Sequence, residues 1–78
     1  MKNCVFKLYF PNGKTFLSHP FDDENFTDCF SVFGSKILFA VDTTITIAEF
    51  SSESRAYEVF DAIINAYNAH FSFTLPLD

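Results

Sequence analysis

The sequence predicts an α+β domain in which an antiparallel β-sheet of five or six strands, connected as a meander, is covered on one face by a single helix from the C-terminal half. Apolar and polar residues alternate over most of residues 3–50, and short turn signals separate the runs. Residues 51–68 instead show helical spacing. The 78 residues, 49% hydrophobic and including twelve phenylalanines, suit one small domain over residues 1–78.

The first two predicted strands form a hairpin. The run NCVFKLYF, residues 3–10, alternates with period two. One side would carry Cys4, Phe6, Leu8 and Phe10, and the other Val5, Lys7 and Tyr9. The PNG sequence at 11–13 favours a tight turn, because proline presets φ and Asn and Gly tolerate positive φ. The run KTFLS then predicts the second strand.

An irregular acidic loop follows, HPFDDENFTD at residues 19–28. Phe21 and Phe26 bracket its carboxylates, and we expect these two rings to fix the loop onto the core. The run CFSVF predicts a third strand, Gly34 and Ser35 a turn, and KILFAVD a fourth strand. Because this fourth strand is apolar on both faces, it should be central or covered on both sides. The run ITIAEF predicts a fifth strand.

The predicted helix begins at Ser51 or Ser52, since serine accepts hydrogen bonds from the free amides of a first turn. It should end between Asn68 and His70. The predicted buried stripe consists of Ala56, Phe60, Ile63 and Tyr67, widened by Val59 and Ile64. The predicted solvent face consists of Arg55, Glu58, Asp61, Asn65 and Asn68. The run FSFTL, residues 71–75, predicts a last strand that Pro76 ends.

A single helix would leave the second face of the predicted sheet without a cover. That face would carry Val5, Tyr9, Leu38 and Ala40. An uncovered apolar patch usually marks a partner surface, which predicts a homodimer joined through this face or through an edge strand. The alternative is that the sheet curls and the acidic loop covers the gap.

The charge distribution argues against direct nucleic-acid binding. The net charge is −5; residues 1–18 carry three lysines and no acid, whereas residues 19–50 carry six acids and one lysine. Residues 51–78 carry four acids and one arginine. Nucleic-acid binding normally needs a basic patch, and an acidic surface repels phosphates.

No stretch carries the signature of a catalytic, metal or cofactor site. The cysteines, Cys4 and Cys29, and the histidines, His19 and His70, do not match a zinc spacing or a nucleophile–base spacing. Three consecutive carboxylates, Asp22 to Glu24, lack the alternation of a Ca²⁺ loop. We therefore expect a protein that is not an enzyme and has no cofactor. The N-terminal residues alternate and no apolar run could span a bilayer, so we expect a cytoplasmic protein that does not bind membranes.

The C-terminal part resembles a group of known proteins. A strand is followed by SSESRAYEVFDAIINAY and by a short aromatic strand ending in LP, over about residues 45–76. This pattern resembles small uncharacterised bacteriophage and prophage proteins with a "SEERAxEVLxEIxxAY"-like helix. The matching residues are Ser52, Glu53, Arg55, Ala56, Glu58, Val59, Phe60, Ile63, Ala66 and Tyr67. The resemblance implies a mobile-element origin and, as a location, the cytoplasm of an infected bacterium.

Three functions follow as hypotheses. The first is a phage-encoded inhibitor that binds a host defence protein, such as a CRISPR effector, through protein–protein contact; its acidic side chains would compete for a nuclease's basic channel. The predicted partner-binding residues are Tyr9, Asp22, Asp23, Glu24, Phe26 and Asp28. The second is sequestration of a nucleotide second messenger. The third is a housekeeping interaction module.

Overall fold

The computed structural model describes residues 5–78, so the predicted position of Cys4 lies outside the described residues. The elements are β1 (Val5–Tyr9), β2 (Thr15–Pro20), a 3₁₀ helix (Phe26–Cys29), β3 (Phe30–Phe33), β4 (Lys36–Ala40), β5 (Thr44–Glu49), α1 (Glu53–Asn68) and β6 (Phe73–Thr74). The α+β class, with one helix in the C-terminal half of the described chain, is confirmed. The single five- or six-stranded sheet is wrong, because the strands form two three-stranded sheets.

The first sheet has the order β2-β1-β6. β1 and β2 form the predicted hairpin, with Gly13 at φ 89° and Phe10 closing the turn through its amide to the Lys14 carbonyl at 2.8 Å. β6 pairs parallel to β1, with Leu8 opposite Phe73. Parallel neighbours need a long crossover connection. Here the second sheet and the helix together provide it.

The second sheet is an antiparallel meander of order β3-β4-β5. Gly34, at φ 62°, makes the turn between β3 and β4, where a left-handed backbone favours glycine. β4 is the central strand, as its apolar pattern predicted, and Ile37 is fully buried. β5 lies at the edge of the sheet, and its register against β4 shifts between Ile37 and Leu38.

The helix bridges the two sheets, because α1 contacts β3 and β4 of one sheet and β6 of the other. Ser52 is its N-cap, as predicted, and its side chain accepts from the Arg55 amide at 3.1 Å. The buried positions are Ala56, Val59, Ile63 and Tyr67, while Phe60 and Ile64 are half-buried against the core. The spacing of the predicted stripe is thus right. The observed buried stripe is centred closer to Val59 than to Phe60.

A residue with a left-handed backbone follows the end of the helix. His70 has φ 64°, the amide of His70 donates to the Tyr67 carbonyl, and the amide of Phe71 donates to the Ala66 carbonyl at 2.8 Å. These two bonds are those of a Schellman motif, in which glycine is the usual left-handed residue. The motif turns the chain sharply into β6, which carries it back to β1.

The predicted uncovered face does not exist as one surface. Val5 and Tyr9 lie in the first sheet, whereas Leu38 and Ala40 lie in the second. Strand order caused the error, since residue alternation fixes which residues share a face of a strand but not which strands share a sheet. The acidic loop packs on the core instead, as the positions of Phe21 and Phe26 predicted.

Candidate functional site

The acidic loop is held by a network centred on Asp23. Its Oδ2 lies 2.8 Å from His19 Nε2, and its Oδ1 accepts from the Asn25 amide at 2.9 Å. These bonds, chiefly the one from His19, hold the pKa of Asp23 below its ordinary value. Asp23 therefore stabilises the loop from within, which sets it apart from its two acidic neighbours.

Tyr67 ties the same loop to the helix. Its hydroxyl donates to the Pro20 carbonyl and lies 3.1 Å from the Asp23 carbonyl. Burial raises the pKa of the Tyr67 phenol, which keeps the hydroxyl protonated at neutral pH. The Tyr67 ring also packs at 4.8 Å from Phe26 and 5.5 Å from Phe21, centroid to centroid. One helical side chain thus fixes both the backbone and the rings of the loop.

Both histidines are stacked on phenylalanines of this loop. His19 stacks on Phe26 with ring centroids 4.2 Å apart, and His70 stacks on Phe21 at 4.7 Å. The described cysteine, Cys29, is a half-buried free thiol at the end of the 3₁₀ helix.

The six predicted partner-binding residues therefore differ in accessibility. Asp22, Glu24 and Asp28 are exposed, Asp23 is engaged in the loop network, and Tyr9 is half-buried on the central strand of the first sheet. Phe26 is only 3% exposed and contacts Phe6, Phe30, Phe39 and Tyr67. This burial removes Phe26 from any surface that a partner could touch.

An open groove lies where the two sheets meet, and sequence reasoning did not identify it. We call it the inter-sheet groove; its volume is about 330 Å³. It is lined by Phe16 and Leu17 of β2 and by Phe39, Val41, Asp42, Thr43 and Ile45 of the β4–β5 hairpin. Its volume falls at the low end of the range of about 300–1,000 Å³ that small-molecule sites occupy. It is large enough to receive one or two side chains.

Packing of the two sheets creates the groove. The rings of Phe16 and Phe39 meet edge to face with centroids 5.5 Å apart and join β2 to β4. Beyond this contact the β4–β5 turn projects, closed by the Val41 amide to the Thr43 carbonyl at 3.3 Å. Val41 is 69% exposed and Ile45 43% exposed. The alternation pattern assigned both residues to strands, and only the placement of one sheet against the other shows that they border a groove.

The charge of the groove is negative. Within the described residues, 5–78, Asp42 is the one charged residue of the groove lining, and neither lysine nor arginine contributes to it. Among residues 5–78, no group of three or more His, Cys, Asp or Glu side chains is placed to hold a metal ion. In the same part of the chain, no helix is long and apolar enough to cross a membrane.

Comparison of the chain with protein-family models, with curated proteins and with solved structures finds no match.

Proposed function

We propose that this chain acts by binding another protein, with the inter-sheet groove as the contact site. The observation that carries this proposal is the exposure of Val41 and Ile45 beside the apolar floor formed by Phe16 and Phe39. A contiguous apolar patch on a small domain has a free-energy cost in water, and such patches commonly mark protein-binding surfaces.

In this proposal the exposed carboxylates of the acidic loop attract the partner to the groove. Asp22, Glu24 and Asp28 are exposed on a loop that Tyr67 and the His19–Asp23 contact hold in place. Fixed carboxylates attract a basic partner over a distance of about one Debye length and accelerate its association. They favour a partner with a basic surface, such as a protein that binds nucleic acid.

The partner that we propose is a bacterial defence protein, inhibited by a phage-encoded chain. The phage origin rests on the helix pattern from Ser52 to Tyr67. The two structural features that support inhibition by contact are the groove and the exposed carboxylates. The second-messenger hypothesis gains no comparable support, because the lining contributed by the described part of the chain offers a phosphate no basic side chain. The plating experiment below decides between this proposal and the housekeeping interaction module.

A homodimer stays a prediction on different grounds. The sheet face that first motivated it is divided between two sheets, but β2 lies at the edge of the first sheet, where a second copy would pair with it. Sedimentation equilibrium would give twice 8.9 kDa for the homodimer. A single species of 8.9 kDa would exclude it.

The experiment is a plating assay in bacteria that each carry one defined defence system. We expect expression of the parent chain to restore phage plating against at least one system. Val41→Asp should abolish that rescue, since it places a charge in the apolar groove. Phe33→Asp, the same kind of change at a residue that is 73% exposed and outside the groove lining, is the matched control and should retain it.

Two results would overturn the proposal. If the parent chain restores plating against no defence system, the anti-defence function is wrong and the housekeeping module takes its place. If Val41→Asp, shown to be folded by circular dichroism, restores plating as well as the parent, the groove is not the contact site.

A further inference from the structure

We propose that the inter-sheet groove binds an extended segment of its partner in which an apolar residue and a lysine or arginine are two positions apart, so that both side chains lie on the same face of the segment. This inference rests on the proposed function and specifies the chemistry of the segment. Three features of the groove, as residues 5–78 form it, carry this inference: an apolar floor, a single carboxylate in its wall, and a strand at the edge of its sheet beside it.

The apolar floor is the reason to expect an apolar side chain in the bound segment. Phe16, Leu17 and Phe39 are half-buried, and Val41 and Ile45 stand at the rim with much of their surface in water. An aliphatic or aromatic side chain placed among them would remove apolar surface from water on both partners, at roughly 25 cal/mol per Å². The volume of about 330 Å³ limits the occupant to one or two such side chains.

Asp42 is the reason to expect a basic residue in the bound segment. It lies between Val41 and Thr43 in the β4–β5 turn, and within residues 5–78 the lining holds no other charged side chain. The whole chain carries ten acids against five bases, so its net charge has the same sign as Asp42. A cation next to the inserted apolar side chain would be attracted to this carboxylate, and a second carboxylate would be repelled.

The edge of β5 is the reason to expect that the bound segment is extended. β5 pairs with β4 on one side and ends its sheet, and its residues Thr44–Glu49 read TITIAE. It contains no proline or lysine, the residues that usually block edge pairing, and its one charge is at its C-terminal end. Ile45 belongs both to this strand and to the groove, so a strand added to β5 would run beside the groove.

A second copy of this chain complements the groove poorly. In a two-fold symmetric contact the same patch meets itself, which would bring two Asp42 carboxylates into one interface. Like charges in an interface oppose association. We therefore assign the groove to a different, basic partner.

The test is an NMR titration of the ¹⁵N-labelled chain with two blocked hexapeptides, Thr-Leu-Val-Arg-Val-Thr and Thr-Leu-Val-Glu-Val-Thr, at low ionic strength. We expect the Arg peptide to shift the amide resonances of the segment from Val41 to Ile45 at millimolar concentration or below. It should bind about fivefold more tightly than the Glu peptide, as for an exposed ion pair. Asp42→Asn should reduce this ratio to near one. Asp61→Asn, at an exposed helical position, is the matched control and should preserve it.

Absence of shifts in that segment with both peptides would overturn the inference, as would equal affinity for the two peptides. These failures are separable from failure of the proposed function. If Val41→Asp loses plating rescue, the groove is still the contact site. If the Arg peptide then binds no better than the Glu peptide, only the chemistry that we assign to the bound segment is wrong. If the chain instead gave concentration-dependent shifts in the same segment without peptide, the occupant would be a second copy and the inference would be wrong.

Discussion

At the scale of single residues, Tyr67 is the side chain on which the position of the acidic loop most depends. Tyr67→Phe keeps the ring among Phe6, Phe21 and Phe26 but removes the hydroxyl that donates to the Pro20 carbonyl and accepts from the Asp23 amide. We expect a loss of about 0.5–1.5 kcal/mol in the free energy of unfolding, because the partly buried loop backbone loses its hydrogen-bond partner on the helix. Urea denaturation measures this loss.

The control for that substitution is on the same helix. Tyr57 is 48% exposed, and Tyr57→Phe should change the free energy of unfolding by less than about 0.5 kcal/mol. Equal effects of the two substitutions would show that the Tyr67 hydroxyl does not hold the loop.

Asp23 gives the loop a dependence on pH. Its pKa is lower in the folded chain than in the unfolded chain, chiefly because of the His19 contact. Its contribution to stability is therefore present above the unfolded pKa of about 3.9 and is lost as the pH falls through the folded pKa. Asp23→Asn should lower the melting temperature at neutral pH, and the difference from the parent should shrink below about pH 4.

The matched control for this prediction is its neighbour. Asp22 is exposed and does not belong to the hydrogen-bond network around Asp23, so Asp22→Asn should leave the melting temperature unchanged. Thermal melts of the three proteins across acid and neutral pH decide the matter. Parallel curves for Asp22→Asn and Asp23→Asn at every pH would contradict the role given to Asp23.

At the scale of elements, the helix stabilises the fold by filling the space between the two sheets. Ile63 is fully buried, whereas Asn65, two residues later, is exposed. Ile63→Ala should cost about 2–5 kcal/mol through lost burial and the cavity that it leaves. Asn65→Ala should cost less than about 0.5 kcal/mol. If urea midpoints fall equally in the two variants, the buried face of α1 is placed incorrectly.

The sequence was a good guide to the elements and a poor one to how they assemble. The Ser52 cap, the helix and the PNG hairpin all arise from interactions within a few residues, which local patterns report directly. The pairing of β6 with β1 joins residues such as Leu8 and Phe73, and no local pattern encodes that choice. The sheets are separate because β2 does not pair with β3, which no local pattern encodes either, and the groove exists only because of the two sheets.

At the scale of the whole molecule, the exposed carboxylates of the acidic loop should act on association. We expect replacement of Asp22, Glu24 and Asp28 by their amides to slow association with a basic partner more than it speeds dissociation, because peripheral charges mainly steer encounter. The parent's association rate should fall with salt, and the triple variant's rate should depend on salt less. Surface plasmon resonance at several ionic strengths measures both rates.

Asp23 is left in place in that variant because its loss would weaken the loop itself. The control carries amides at Glu53, Glu58 and Asp61, three exposed carboxylates of the helix. It has the same net charge as the loop variant. If the two variants lose association rate equally, the net charge matters and the loop has no special role.

The central claim is that the inter-sheet groove is where a partner binds. Hydrogen–deuterium exchange of this chain, alone and with the defence protein whose inhibition the plating assay registers, tests it most directly. We expect amides from Val41 to Thr46 to exchange more slowly in the complex, while those of the exposed helix face are unchanged. Protection confined to α1 or to the acidic loop, with no change from Val41 to Thr46, would contradict it.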